Sequence, residues 1–232
     1  MKKQYDVLLF DLDDTIFDFQ QSEKRAFTQV FEAYNLNALD YLTDYQEISS
    51  KLWSRLEQQQ LTLSDLGTER FQQLFDKHHL TLDAKAFNDT YLHFLGMQPF
   101  LITGAENLFQ PLHHVRIAAI SNGFERVQTA RIALCSFSEK FEALIISETV
   151  GHQKPSQEIF DYAFEKLQLK DKSSVLMIGD SLTSDIKGGQ NYGIDTCWFN
   201  PTAKVNISEV QPTYEIRRLN ELLAYVKPLP IL

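Results

Sequence analysis

An α/β fold, with a doubly wound parallel sheet and an inserted all-helical segment, is predicted by three observations. Short apolar runs recur at Val7 to Phe10, Val115 to Ile120, Ala143 to Ile146, Val175 to Ile178 and Thr196 to Phe199. In the second half of the chain these runs alternate with stretches whose apolar residues return every three or four positions, the pattern of helices winding a parallel sheet. Between Gln20 and Phe100 no strand-like run occurs, and only helical periodicity is found.

Taken in order, Val7 to Phe10 reads as a buried strand that runs straight into Asp11, Asp13 and Asp14, with Asp18 close behind. Amphipathic helices are expected over Glu23 to Tyr34, Tyr45 to Gln60, Thr68 to His79 and Ala84 to Leu95. In the first of these, Phe27, Val30, Phe31 and Tyr34 fall at i, i+3, i+4 and i+7, enough for one buried face. The aromatics Phe19, Phe27, Phe31, Tyr91 and Phe94 suit a core within this helical segment better than a platform for a planar ligand. Pro99 to Gly104 is rich in turn formers and leads back to the wound portion, where helices are expected over Glu125 to Leu134 and Gln157 to Leu167. The chain thus divides into a Rossmann-like core, 1–16 and 101–232, and an inserted helical segment, 17–100. There is no internal repeat or low-complexity tract.

A chain of 232 residues with 44% hydrophobic residues can bury a sizeable core. Its formal charge of -9, from 22 basic and 31 acidic residues, argues against a nucleic-acid polymer as partner, because such binding rests on phosphate neutralisation by a basic face. A small anion would need a local positive patch. Cys135 and Cys197 each lie in an apolar stretch and form no CxxC pair, which suits buried thiols in a reducing compartment. The apolar run after the basic start is too short for a signal peptide, and no run approaches the ~20 apolar residues of a membrane span. A cytoplasmic protein is expected.

In open α/β sheets the ligand sits at the carboxyl ends of the strands. The polar clusters fall at those ends: Asp11-Leu12-Asp13-Asp14-Thr15 after the first run, Ser121-Asn122-Gly123 after the second, and Gly179-Asp180-Ser181 after the fourth, with Asp185 five residues beyond Asp180. Gln153-Lys154-Pro155 follows the third run. Carboxylates crowded into one mouth repel one another unless a cation sits among them, and oxygen ligands suit Mg²⁺ where the other partner is a phosphate. A carboxylate beside such a metal can attack phosphorus to give an aspartyl-phosphate, and a second carboxyl two residues on can serve as acid and then base. Lys154 would offset the charge, while Ser121 and nearby backbone N–H groups would hold phosphoryl oxygens.

Each residue also has a plainer role open to it. Asp14 and Asp18 suit caps or loops. Ser121-Asn122-Gly123 suits a turn at positive φ, and Lys154 suits the surface ahead of a helix starting at Pro155. The adjacent pairs His78-His79 and His113-His114 point in different directions on a helix and suit the surface or helix ends better than a metal.

Together, an apolar strand followed by DxDxT, a strand ending in Ser, a Lys before Pro, and a strand followed by GDxxxxD resemble the four motifs of the haloacid dehalogenase superfamily of phosphohydrolases. The resemblance runs the length of the chain, and the helical insertion resembles that superfamily's first cap class. It implies Asp11 as nucleophile and metal ligand, and Asp13 as general acid/base whose backbone carbonyl also ligates the metal. Asp180 completes the protein's share of the Mg²⁺ shell. Asp185 orients a ligand water or Lys154, Thr15 supports the loop, and Ser121 with Asn122 binds the phosphoryl group. An acid at Asp13 points to phosphoryl transfer, since dehalogenase members lack one there. More narrowly, "LMIGDSLTSDIKGGQNYGIDTCWFNP", "QPTYEIRRLNELL" and "YDVLLFDLDDTIFDF" are similar to bacterial noncanonical-pyrimidine 5'-nucleotidases, which implies dUMP, dTMP and UMP as substrates. The same motifs serve sugar- and glycolate-phosphate phosphatases and sugar phosphomutases. A more remote alternative is an Asp-phosphorylated response-regulator-like module, against which the helical insertion and Asp13 both argue.

Overall fold

The computed structural model describes residues 3–227, so the outermost residues of the expected core, 1–2 and 228–232, lie outside the described residues. Strand β1 (Val7–Phe10) is buried throughout and sits at the centre of the sheet. A helical layer follows, made of α1 (Phe19–Ala33), α2 (Leu42–Glu57), α3 (Leu63–Lys77) and α4 (Ala84–Gly96). The chain then passes through a short helix α5 (Ala105–Leu108) into β2 (Arg116–Ser121), α6 (Glu125–Ala133), β3 (Phe141–Ile146), a helical turn α7 (Ser147–Val150) and α8 (Gln157–Lys166). Strand β4 (Val175–Gly179), a π-helical turn over Leu182–Ile186, α9 (Lys187–Tyr192), β5 (Asp195–Phe199) and β6 (Tyr214–Ile216) complete the core.

All six strands are parallel, in the order β3-β2-β1-β4-β5-β6. The order reverses between β1 and β4, so a crevice opens at their carboxyl ends. Phe10 pairs with Ala119 on one side and Ile178 on the other, which brings the residues after β1, β2 and β4 to one level.

One apolar cluster, including Leu8, Phe10, Ile117, Ile178 and Phe109, lies on one face of the sheet. The other face buries Leu9, Ile120, Met177, Ile159 and Phe160. This two-sided burial explains why the central strands read as continuous apolar runs and not as alternating ones.

The helical layer has its own core of Phe27, Phe31, Tyr45, Phe71, Phe75, Phe87 and Tyr91, with Phe19 and Phe94 packed at its edge. Arg70 is buried inside it, donating to Asn88 Oδ1 at 2.7 Å and lying 4.5 Å from the centre of the Tyr91 ring. Two linkers join the layer to the sheet. Asp18 N donates to Phe100 O and Ile102 N to Ile16 O, each at 2.9 Å, so the linkers run side by side. Phe124 and Val127, from the core, complete the apolar cluster of the helical layer.

Three differences from the sequence readings have physical reasons. Helix α1 starts at Phe19 and not Glu23, because Asp18 caps it, accepting from Gln21 N at 2.9 Å. Strand β6 has no counterpart among the apolar runs, because it is three residues long, lies at the sheet edge and exposes Glu215. Gly123 is not at positive φ. A Cβ there would lie 2.4 Å from Gln128 Nε2, so a larger residue would push the Gln128 amide aside. The histidine pairs sit at helix ends and in loops, with His78 at the C-terminus of α3 pairing with Asp44 at 2.8 Å.

Candidate active site

Asp11 is the first residue past β1, its N–H donating to Ile178 O at 2.8 Å, and only 8% of it is exposed. Its carboxylate accepts from Lys154 Nζ at 2.7 Å and from Thr15 Oγ1 at 3.1 Å. Lys154 is 1% exposed, which removes the surface role. The ammonium also meets Asp185 Oδ1 at 2.7 Å and donates to Ile120 O at 2.5 Å. Burial works against its charge, but the attraction of Asp11 and Asp185 outweighs burial and raises its pKa, so it is a fixed cation.

Asn122 holds this lysine in place by a two-way amide contact. Its Nδ2 donates to Lys154 O and its Oδ1 accepts from Lys154 N, both at 2.8 Å. The Asn122 side chain is thus engaged with the lysine's backbone, and Ser121 Oγ accepts from Gln128 Nε2 at 2.9 Å.

Asp180 follows β4, its carbonyl pinned by Trp198 Nε1 at 2.8 Å. Asp185, on the π-helical turn, accepts from Ser181 N at 3.0 Å. Gly179 makes this approach possible, because a Cβ there would lie 2.1 Å from Asp185 Oδ2.

Carboxylate oxygens of Asp11, Asp180 and Asp185 come within 4.8 Å of one another. Burial first, then repulsion from neighbouring carboxylates, pushes Asp180 up to about 9. Burial likewise pushes Asp11 up to about 7, against the pull of Lys154. One lysine does not neutralise this cluster, and a hard, oxygen-only donor set of this kind fits a divalent cation such as Mg²⁺. Asp14, at φ 58°, accepts from Phe19 N at 3.2 Å and is pushed up to about 6, chiefly by burial.

Asp13 carries the main feature that sequence reasoning missed. Its Oδ1 accepts from Arg131 Nη2 at 2.6 Å and its Oδ2 from Gln128 Nε2 at 2.7 Å. Arg131 is fully buried, and its guanidinium also lies 4.6 Å from the centre of the Phe17 ring. Both residues lie on the inward face of α6 beside Val127 and Ile132. Polar residues on an apolar helical stripe were the signal that could have revealed them.

A cavity of about 260 Å³ opens over the carboxylates. Its core side holds Asp11, Asp13, Ser121, Lys154, Asp180 and Asp185, and its far side is built by Phe19, Trp53, Leu56 and Glu57 of the helical layer. Two hydrogen bonds join α2 to the core beside it: Gln153 Nε2 donates to Leu56 O at 2.5 Å and Thr183 Oγ1 to Glu57 Oε2 at 3.4 Å.

The haloacid dehalogenase-like hydrolase family matches residues 5–193. The Bacillus subtilis protein YfnB is 39% identical over 95% of this chain and 94% of its own. Its magnesium-bound crystal structure aligns with a TM-score of 0.89 over 96% of this chain and 98% of that one. Pyrimidine 5'-nucleotidase PynA of Streptococcus pneumoniae is 35% identical over 94% of each chain. Pyrimidine 5'-nucleotidase YjjG of Escherichia coli is 31% identical over 94% of this chain and 96% of that one.

Proposed function

We propose that this chain, which belongs to the haloacid dehalogenase-like hydrolase family, is a Mg²⁺-dependent phosphomonoesterase that dephosphorylates pyrimidine nucleoside 5'-monophosphates such as dUMP, dTMP and UMP. The observation that carries the chemistry is the placement of Asp11 beside buried Lys154 and within reach of Asp180 and Asp185, with Asp13 two residues on, where the strand order reverses. The pyrimidine 5'-nucleotidases among the relatives, and a helical wall that offers rings and an aliphatic side chain to the cavity, favour a nucleobase over a bare sugar.

Asp11, Asp180 and the Asp13 carbonyl would hold the cation, with Asp185 close by. It would supply positive charge against the phosphoryl oxygens and the nucleophile. An Asp11 carboxylate oxygen attacks phosphorus; the bond to the leaving oxygen breaks, and its electron pair takes a proton from the Asp13 carboxyl. Asp13, now a carboxylate, removes a proton from water, whose oxygen attacks phosphorus and returns the electron pair to Asp11. Arg131 and Gln128 hold the Asp13 carboxyl at the edge of the cavity it lines.

Lys154 balances charge at Asp11, and Ser121 with the main chain at Asn122 receives phosphoryl oxygens. Residues 17–100 act as the cap that keeps bulk water out and reads the leaving group. The test is phosphate release, with and without Mg²⁺, from dUMP, dTMP, UMP, AMP, glucose phosphates and phosphoglycolate. Mg²⁺-dependent preference for the pyrimidine nucleotides is expected. Turnover confined to sugar or glycolate phosphates would discard the nucleotide assignment.

A further inference from the structure

We infer that the last turn of α2 is the leaving-group reader, with Trp53 giving the base a ring face and Glu57 accepting a hydrogen bond from the sugar 3'-hydroxyl. This rests on the nucleotidase function proposed above and names the residues that would carry its selectivity.

Trp53, Leu56 and Glu57 lie within five residues and together form most of the helical wall of the cavity. Trp53 and Leu56 belong to a small apolar cluster with Leu52 and Leu66, and Trp53 is only half-buried although it is the largest side chain there. Its exposed part borders the cavity, where Phe19 supplies a second ring. Stacking against such a surface is tolerant of ring substituents, as a site for both uracil and thymine requires.

Glu57 stands at the cavity rim. The Thr183 hydroxyl, on the π-helical turn that carries Asp185, draws the carboxylate toward the core. Thr183 lies two residues from Asp185 on that turn, so the Glu57 carboxylate it meets lies near the phosphoryl end of the cavity and not at its far end. A carboxylate is acceptor-only, and the donor on a 5'-nucleotide nearest its phosphate end is a sugar hydroxyl; the ring N–H lies farther away. The end of α2 is also fixed to the core by Gln153, so the reader is held against the site that cleaves.

The experiment measures kcat/KM on three substrates, dUMP, 2',3'-dideoxyuridine monophosphate and 2-deoxyribose 5-phosphate. It compares the wild type with Trp53→Leu, Trp53→Phe, Glu57→Ala and Thr183→Val. The wild type is expected to favour dUMP over each analogue by roughly tenfold to a hundredfold. Trp53→Leu removes most of the preference over the base-free sugar while keeping the preference for the hydroxyl, and Trp53→Phe restores part of the former. Glu57→Ala does the converse. Thr183→Val breaks the same bridge to the core but keeps the carboxylate, and retains more of the hydroxyl preference than Glu57→Ala. Equal loss of that preference in Thr183→Val and Glu57→Ala would overturn the Glu57 role in favour of cap closure. A wild type that prefers dUMP, with variants that lower all three substrates alike, would overturn the reader and leave the nucleotidase function standing. A wild type without preference for dUMP over deoxyribose 5-phosphate would overturn both.

Discussion

At the residue scale the site is a problem of charge and of close contact. Asp11 shares Lys154 with Asp185, so replacing Asp11 by Asn leaves the lysine paired and relieves repulsion on Asp180. Asp11→Asn is expected to lower kcat by roughly a thousandfold or more with an unchanged or raised Tm, read by steady-state assay and thermal melting. A well-folded variant with comparable turnover would remove Asp11 from the chemistry. Gly179→Ala is expected to cost about 1–3 kcal/mol in chemical denaturation and to impair turnover, because its Cβ would displace Asp185. Arg131→Met is expected to lower kcat by at least about tenfold with little change in KM, since it frees Asp13 from its holder. Its Tm should also fall, because Asp13 and Gln128 each lose a charged hydrogen-bond partner. Asp11, Asp13 and Asp180, which line the cavity, were legible in the sequence because each follows an apolar run at a strand end, and Lys154 because it stands before Pro155 in the same order of motifs. Arg131 and Gln128 were not, because their role depends on which face of α6 turns inward, and the polar side chains there carry no motif.

At the element scale, what positions the chemistry is the meeting of β1, β2 and β4 at one level, and these strands were readable because burial on both faces makes them uniformly apolar. Strand β6 failed the same criterion, being short and at the edge. The helices of residues 17–100 were legible from periodicity, but their boundaries depended on capping residues such as Asp18 and Thr62, whose hydroxyl accepts from Asp65 N. The cap's contribution to the site was not legible. Trp53 and Glu57 line the cavity only because α2 ends over the strand termini, a tertiary fact. If that docking holds the cavity closed, Gln153→Ala, which loses the contact to Leu56 O, is expected to raise KM for dUMP severalfold while changing Tm little. An unchanged KM in a steady-state assay would show that this bridge does not govern access.

For the whole molecule, stability and metal binding are tied through the buried carboxylates. Asp11 and Asp180 carry folded-state values raised to about 7 and about 9, above the ~4 of an unfolded chain. Groups raised in this sense contribute stability that is complete below the unfolded value and lost as pH climbs through the folded values. Metal-free protein should therefore melt at lower temperature as pH rises from about 4 to about 9. Mg²⁺, which replaces protons at these oxygens, should raise Tm more near pH 9 than near pH 6. Melting curves in chelator and in Mg²⁺ check both slopes, and a metal effect that shrinks with rising pH would contradict the carboxylate site. The central claim, that phosphorus passes through Asp11, is tested most directly by rapid acid quench of enzyme mixed with Mg²⁺ and dUMP radiolabelled at phosphorus, followed by peptide mapping. A transient covalent label on the peptide containing Asp11, formed and lost at rates that match turnover, is the predicted result; turnover with no label on the protein, or with the label on another residue, would contradict it.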